Sequence, residues 1–178
     1  MRALQLVRIV ERVDVVDTVR ERAEQYAARV GPALGVEVVV QDRVADAVRD
    51  ADVIITATWS KTPFLTRAMV RDGVHITAVG ADEPAKGEVD AALIASSLFV
   101  CDDRALAAGM GAIAGAGLGP DAIHAELGEV IAGVKPGRTR DDQITIFGTV
   151  GLAFQDLPAA WQVYLKARAL GIGTSVDF

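Results

Sequence analysis

Short apolar runs rich in β-branched residues alternate with helical segments along most of this chain. The runs are apolar on both faces, which is typical of strands in a parallel sheet covered by helices on both sides. The sequence therefore predicts an α/β fold with a doubly wound parallel sheet. The predicted strands are VDVVD (13–17), VEVVV (36–40), VIITAT (53–58), HITAVG (75–80), LFVCDD (98–103) and ITIFGTVG (144–151).

The intervening segments show helical periodicity, which completes a Rossmann-like pattern. One face of VRERAEQYAARV (19–30) carries Val19, Ala23, Tyr26, Ala27 and Val30. A long amphipathic helix is predicted from Leu152 to about Leu170, before a stop at Gly171. We assign residues 1–143 to the Rossmann-like domain and residues 144–178 to a C-terminal segment and helix.

Composition excludes several classes of function. A net charge of −6, without a stripe of Lys and Arg, argues against a nucleic-acid partner. No apolar run approaches the roughly 18 residues needed to span a bilayer, so no membrane partner is expected. A single cysteine, Cys101 in the run LFVC, suggests a buried structural thiol in a reducing compartment, and we expect a cytoplasmic protein.

Ligands of such a fold bind beyond the carboxyl ends of the strands, so the residues there are the candidates for a site. Asp17 closes the first predicted strand, where a carboxylate can accept both ribose hydroxyls of NAD and would repel the 2′-phosphate of NADP. An Asp that caps the helix beginning near Val19 explains the same position equally well.

The dinucleotide fingerprint places a Gly-rich turn roughly 20 residues before such an acidic residue. Counting back from Asp17 runs past Met1, and residues 3–10 resemble the end of the helix that follows that turn. We therefore expect this chain to lack the first strand and the Gly-rich turn. The glycines of GMGAIAGAGLG (109–119) do not follow a strand directly, and a flexible surface loop is the favoured interpretation.

Asp82 follows Val79-Gly80-Ala81 at the end of the HITAVG strand. A carboxylate beside a bound nicotinamide could take a proton from a substrate ammonium as the imine forms. The alternative is a turn or N-cap Asp before Glu83-Pro84. Lys86 could neutralise an anionic ligand group or be a solvated loop lysine, while Trp59 could shield the pocket or pack at a subunit contact.

Neither histidine suggests a metal site. His75 opens the HITAVG strand and His124 is predicted to start a helix over HAELGEV, but nothing in the sequence pairs them. We therefore expect no metal.

Several motifs together resemble the ornithine cyclodeaminase/mu-crystallin family. The most specific are AVGAD (78–82) followed by Pro84 and Lys86, the stretch from ELGEV to PGR (126–138), and TVGLAFQD (149–156). The resemblance covers most of the chain. It implies an NAD-dependent enzyme that deaminates a small amino acid or reduces a cyclic imine, with a homodimer in the full-length form.

The resemblance also implies roles for individual residues. Asp82 would be the catalytic acid/base. Val79, Gly80 and Ala81 would approach the nicotinamide half of NAD with their backbone, as would Thr58. Asp17 would hold the adenosine ribose, and Val150 with Gly151 would line the substrate side.

Two features depart from the family pattern. The pattern usually has Gly where Ala85 stands. The resemblance further implies an N-terminal substrate and dimerisation domain, to which the C-terminal helix returns and which we expect this chain to lack. An inactive or non-catalytic fragment of such an enzyme is therefore the alternative hypothesis.

Overall fold

The computed structural model describes residues 1–176, which form an α/β fold with two parallel sheets. The strands are β1 Arg12–Val15, β2 Glu37–Val40, β3 Val53–Thr56, β4 His75–Ala78, β5 Leu98–Cys101, β6 Ala125–Glu126 and β7 Thr145–Gly148. The α-helices are α1 Arg2–Gln5, α2 Arg20–Leu34, α3 Val44–Val48, α4 Ala91–Ala95, α5 Arg104–Gly109, α6 Gly111–Gly115, α7 Leu127–Ile131 and α8 Ala153–Leu170. The predicted Rossmann-like architecture with a long C-terminal helix is confirmed.

The larger sheet has the order β3-β4-β7-β5-β6, and every neighbouring pair is parallel. β4 and β5 are not neighbours in this sheet, because β7, the last strand in the sequence, lies between them. The centre of the sheet forms the core, because alternate residues such as Ile76, Phe99 and Ile146 are almost completely buried. Side chains on successive residues of a strand point to opposite faces, so this alternation fixes the register of the sheet.

The smaller sheet contains only β1 and β2, with Val13 opposite Val38. No residue of either strand is fully buried, and Ala23 is the buried residue of the neighbouring helix α2. Within residues 1–176, β1 pairs with β2 alone and β3 with β4 alone, so one edge of each strand is unpaired. Unpaired strand edges leave backbone hydrogen-bonding groups available to another strand.

Five of the six predicted strands overrun the observed ones at their carboxyl ends, and VEVVV (36–40) ends with β2 at Val40. β1 stops at Val15, so Asp17 lies two residues beyond the strand rather than closing it. β4 likewise stops at Ala78 and β7 at Gly148. The residues after each stop begin the connecting loops, although the Val79 N–H still donates to the Thr56 carbonyl at 2.9 Å and the Thr149 N–H to the Ala78 carbonyl at 3.1 Å.

The glycine-rich segment 109–119 is not the flexible loop that the sequence favoured. Its central residues form α6, and Gly111, Ala112 and Ile113 are buried. A hypothetical Cβ on Gly115 would lie 2.0 Å from the carbonyl oxygen of Lys86. Gly111 and Gly115 therefore permit close packing at the two ends of α6.

The helix predicted over HAELGEV also needs correction. Ala125 and Glu126 form the short strand β6, and α7 begins only at Leu127. The Glu129 side chain accepts a hydrogen bond from the Glu126 backbone N–H, at 2.9 Å, and so caps the start of that helix.

Helix α8 has no buried residue. Phe154, Leu157, Trp161 and Tyr164 recur at helical spacing and form one exposed apolar stripe. The helix ends, as predicted, at Gly171, which adopts the left-handed conformation. Among the helices of residues 1–176, none combines the length and the apolarity needed to cross a bilayer.

Candidate active site

The carboxyl ends of β3, β4, β5 and β7 meet at one edge of the larger sheet because all four strands are parallel. The loops that leave this edge carry most of the predicted site residues. They are Thr58 after β3, Val79 to Asp82 after β4, and Val150 with Gly151 after β7.

A buried carboxylate, Glu88, joins the first two of these loops. Its Oε1 accepts hydrogen bonds from the Thr58 backbone N–H at 2.6 Å and the Thr58 hydroxyl at 2.8 Å. Its Oε2 accepts from the Thr56 hydroxyl at 2.7 Å and the Gly80 N–H at 2.9 Å. Glu88 is 0% exposed, yet four donors satisfy its charge. The ends of β3 and β4 are thereby fixed relative to each other.

This arrangement explains why residue 80 is glycine. A Cβ at that position would lie 2.4 Å from Glu88 Oε1 and 2.4 Å from the backbone nitrogen and oxygen of Thr58. The N–H of Val79 is also engaged, because it donates to the Thr56 carbonyl at 2.9 Å. The N–H groups of Thr58, Val79 and Gly80 therefore serve the protein itself, which leaves carbonyl oxygens in these loops for a ligand.

Asp82 lies on the loop that follows β4 at this edge, and its side chain is 51% exposed. Its Oδ1 accepts a hydrogen bond from Lys86 Nζ at 2.7 Å. That hydrogen bond is the main reason why the pKa of Asp82 is lowered from its ordinary value of 3.8. Asp82 is therefore a carboxylate at neutral pH, and it could accept a hydrogen bond from an ammonium group.

Lys86 is buried, and the solvated alternative considered for it is wrong. Its Nζ lies 3.5 Å from Glu83 Oε2 and 4.3 Å from the centre of the Trp59 ring. The pKa of Lys86 is raised, mainly by the hydrogen bond to Asp82. Trp59, although itself 82% exposed, thus contacts the charged group that pairs with Asp82.

Ala85 completes the turn between Asp82 and Lys86. Its φ is 67°, and it is the non-glycine residue with positive φ in the described chain. The left-handed region favours glycine, which is the residue that the family pattern has here. The turn after Asp82 keeps this backbone conformation in spite of the substitution.

A second carboxylate, Asp102, follows β5 and holds the loop that leaves β7 at the same edge. Its Oδ2 accepts hydrogen bonds from the Thr149 hydroxyl at 2.5 Å, the Val150 N–H at 3.0 Å and the Gly151 N–H at 2.9 Å. The loop after β7 is therefore fixed to the end of β5. Val150 in turn limits residue 111, where a Cβ would lie 2.7 Å from Val150 Cγ1 and 3.3 Å from the Ala81 carbonyl oxygen.

Asp17 lies outside this cluster, on the smaller sheet. Its Oδ1 accepts a hydrogen bond from the Val19 N–H at 2.8 Å, which forms a turn before α2 and is not the helix cap considered for it, because Val19 is the N-cap residue and α2 has no side-chain cap. No hydrogen bond in residues 1–176 reaches its Oδ2. One oxygen of this exposed carboxylate is therefore open to a further hydrogen-bond donor.

Cys101 and the histidines lie apart from these groups. Burial raises the pKa of the Cys101 thiol to about 11, so it is a poor nucleophile. His75 contacts Thr145 Oγ1 at 2.8 Å. His124 Nε2 lies 2.9 Å from the Pro136 carbonyl oxygen. Across residues 1–176, no three His, Cys, Asp or Glu side chains converge as a metal ion would require.

Comparison with known proteins identifies the family. The family model described as "Ornithine cyclodeaminase/mu-crystallin family" matches residues 1–170. The chain belongs to this family. Alanine dehydrogenase of Archaeoglobus fulgidus is 37% identical over 164 residues, which are 90% of this chain and 50% of that protein.

Two solved structures share the fold. An archaeal alanine dehydrogenase dimer with bound NAD superposes with a TM-score of 0.88 and 35% identity, over 99% of this chain and 56% of that one. Δ1-Pyrroline-2-carboxylate reductase of Thermococcus litoralis, in complex with NADH and L-proline, has a TM-score of 0.87 and 30% identity, over 98% and 56%. The chain spans about half the length of the curated relatives it matches.

The residues present fit NAD in two of its three parts. Asp17 Oδ2 has the acceptor character that an adenosine ribose requires, and the carbonyl groups near Gly80 suit the amide of a nicotinamide. The glycine turn that would bind the pyrophosphate belongs between a strand and a helix, whereas in residues 1–176 the Gly109-Met110-Gly111 turn joins the helices α5 and α6.

Sequence reasoning about this ornithine cyclodeaminase-like chain missed Glu88 and the clamping role of Asp102. Glu88 stands in the polar stretch ADEPAKGEVD (81–90), where a carboxylate looks solvated. One available signal was the pair of strand-end threonines, Thr56 and Thr58, in an otherwise apolar run, since buried hydroxyl groups need an acceptor.

Proposed function

We propose that this chain is the nucleotide-binding part of an NAD-dependent enzyme that deaminates a small amino acid or reduces an imine, with Asp82 as acid/base. The observation that carries the proposal is the position of Asp82, an ionised and half-exposed carboxylate at the carboxyl edge of a Rossmann-like sheet. Relatives with this fold bind NAD, or NADH with L-proline.

The cofactor, when bound, supplies an acceptor or a donor for a hydride at the α carbon of the substrate. Asp82 Oδ2 faces no side-chain donor in residues 1–176, so it can bind the substrate ammonium while Lys86 holds Oδ1. In the oxidative direction Asp82 takes one proton from the ammonium, and the carbon–nitrogen double bond forms as two electrons and a proton leave as hydride. The reverse direction returns the proton from Asp82 to nitrogen.

The remaining residues position this reaction. Glu88 sets the spacing of Thr58 and Gly80, whose carbonyl groups we propose to contact the nicotinamide half of NAD together with Val79 and Ala81. Asp102 holds Val150 and Gly151, which we propose to line the substrate side. Asp17 would bind the adenosine ribose through Oδ2.

The exposed stripe of α8 supports a further element of the proposal. Four large apolar or aromatic side chains on one helical face, all exposed, are typical of a surface that another domain or subunit covers. We propose that residues 144–178 link the Rossmann-like domain, residues 1–143, to a substrate and dimerisation domain. The archaeal relative of known structure is a dimer.

The first test is a titration of the 178-residue chain with NADH, followed by energy transfer from Trp59 and Trp161. Saturable binding in the micromolar range supports a working nucleotide site. Absence of binding would contradict the proposal and favour the alternative that this chain is non-catalytic.

The second test concerns the reaction itself. NADH oxidation with Δ1-pyrroline-2-carboxylate and NAD⁺ reduction with L-alanine are followed for the wild type and Asp82→Asn. General acid/base assistance contributes about 10²–10⁴-fold, so the rate should fall within that range while NADH binding persists. Asp121→Asn is the matched control, because Asp121 precedes β6 and so lies at the opposite edge of the sheet. Equal rates for Asp82→Asn and the wild type would contradict an acid/base role.

A further inference from the structure

Lys86 is the one lysine of this chain whose side chain is almost completely enclosed within the described residues, at 7% exposure. A buried ammonium is costly unless its donors are satisfied, and here the satisfying groups are Asp82, Glu83 and the face of Trp59. Its backbone is also fixed, because α6 packs against the Lys86 carbonyl at Gly115. The structure thus holds a charged group beside the proposed acid/base.

We propose that Lys86, held over Trp59, is the positioning residue that orients the Asp82 carboxylate toward the substrate ammonium. The inference rests on the proposed function, because it takes Asp82 as the acid/base. Lys86 donates a hydrogen bond to Oδ1 of Asp82 alone. That bond fixes the orientation of the carboxylate and leaves Oδ2 available to accept a hydrogen bond from the substrate. Trp59 limits the movement of Lys86, since the ammonium would lose the ring face if it turned away from Asp82.

The charges around Asp82 are few. Glu83 and Lys86 lie on its own loop, and Glu83 binds the same ammonium at 3.5 Å. The side of α6 that packs under the loop has the sequence GAIAG and carries no charge. Trp59 is uncharged. Lys86 is therefore the cation whose removal should change the titration of Asp82.

The experiment is an NMR titration of the Asp82 carboxyl carbon in the 178-residue chain, with Asp82→Asn used to assign the resonance. Lys86→Met removes the charge at nearly constant length, and the pKa of Asp82 should rise toward its ordinary value. Lys86→Arg keeps the charge and should retain the lowered pKa. Trp59→Leu should give an intermediate result, because the ammonium is then free to leave. Amide spectra at each pH confirm that the chain is still folded.

Lys61→Met is the matched control, since it removes an exposed lysine between Trp59 and Asp82 in sequence. An unchanged Asp82 titration in Lys86→Met would overturn the proposal, as would an equal rise in Lys61→Met. If Lys86→Met does not fold, Trp59→Leu decides: a rise in the Asp82 pKa supports the proposal and no change contradicts it.

A kinetic measurement separates positioning from mere stability. Lys86→Met should raise KM for the amine substrate several-fold and move the acid limb of kcat/KM to higher pH, and Lys86→Arg should restore both. An unchanged acid limb in active Lys86→Met would contradict the role. The carboxyl titration needs no cofactor, so a failure of NADH binding would remove the proposed function and still leave the Lys86–Asp82 coupling to be judged.

Discussion

The two sheets of this molecule have similar strand sequences and different degrees of burial. β2 (EVVV) has three β-branched residues and β3 (VIIT) has four, yet β2 has no buried residue and β3 has two. Both strands lie at a sheet edge and pair with one neighbour, so the difference lies in the core: β3 contributes Ile54 to the core cluster of the larger sheet, and the two-stranded sheet contributes no residue to it. An apolar strand sequence therefore predicts a strand but does not determine how deeply it is buried.

The proposed site follows the same division. Asp82, its neighbours and both clamping carboxylates lie on the larger sheet, where packing holds them in place. Asp17 alone lies on the smaller sheet. We infer that the nicotinamide and substrate half of the site is preformed, and that the position of the ribose carboxylate depends on how firmly β1 and β2 are held.

The largest expected effect contrasts two carboxylates, Glu88 and Asp14. Glu88→Ala leaves the buried donors of Thr56, Thr58 and Gly80 without an acceptor, and the free energy of unfolding should fall by about 3–5 kcal/mol. Asp14→Ala breaks an ion pair with Arg12, which is half-exposed, and should cost less than about 1 kcal/mol. Urea denaturation measures both. Equal losses would show that the two sheets are equally well packed.

Truncation of apolar side chains should give the next largest difference. Ile146→Ala removes a side chain that is 1% exposed at the centre of the larger sheet and should cost about 2–5 kcal/mol. Val38→Ala, on the half-buried β2, should cost about 1 kcal/mol. Amide hydrogen exchange of the wild type is an independent check, because β4 and β7 should exchange more slowly than β1 and β2. Equal protection in the four strands would contradict the comparison.

As the pH falls, a residue of the larger sheet should lower the free energy of unfolding at a higher pH than a residue of the smaller sheet. Burial lowers the pKa of His75, on β4, below its ordinary value of 6.5. As pH falls below 6.5 the unfolded chain takes up a proton that the folded chain does not, so stability falls by at most about 1.4 kcal/mol per pH unit until the folded pKa is reached. On β1, hydrogen bonding to Arg12 lowers the pKa of Asp14 from 3.8, so its contribution is lost only below that value.

The measurement is the free energy of unfolding between pH 7.5 and 5, for the wild type and His75→Gln. The variant should show a smaller decrease in this interval. His124→Gln is the control and should show the same decrease in the free energy of unfolding as the wild type. If the decrease is lost in His124→Gln and kept in His75→Gln, the prediction for His75 is wrong.

Much of the fold could be predicted because hydrophobic periodicity depends on local sequence. The six predicted strands all exist, but β6 was missed since a strand of two residues has no period. The strand-end rule located Gly80 and Asp82, whereas Val150 was named only through the family resemblance. It could not find Glu88, whose burial results from contact with residues about thirty positions earlier in the chain.

The glycine-rich segment shows a second limit of the sequence. Glycine is used both for flexibility and for close approach, and composition does not separate the two. At Gly111 and Gly115 the close neighbours are Val150, Ala81 and Lys86, which are distant in sequence. Contacts with residues distant in sequence therefore distinguish a packed helix from a loop here, and the local sequence does not contain them.

The smallest expected effect compares two residues with the same backbone conformation, one near each sheet. Ala85, in the turn of the proposed site, and Gly35, at the end of α2, both have a φ of 67°. Ala85→Gly should raise the free energy of unfolding by about 1 kcal/mol or less, because an L side chain is strained there. Gly35→Ala should lower it by a similar amount, since no atom lies within 4 Å of the added Cβ and the cost is conformational alone. Thermal unfolding of both variants measures the pair. Ala85→Gly could instead be destabilising while Gly35→Ala behaves as expected. In that case the restricted backbone of Ala85 stabilises the Asp82 turn by more than the strain of its positive φ destabilises it. The loop itself would then help to hold the site, in addition to the larger sheet.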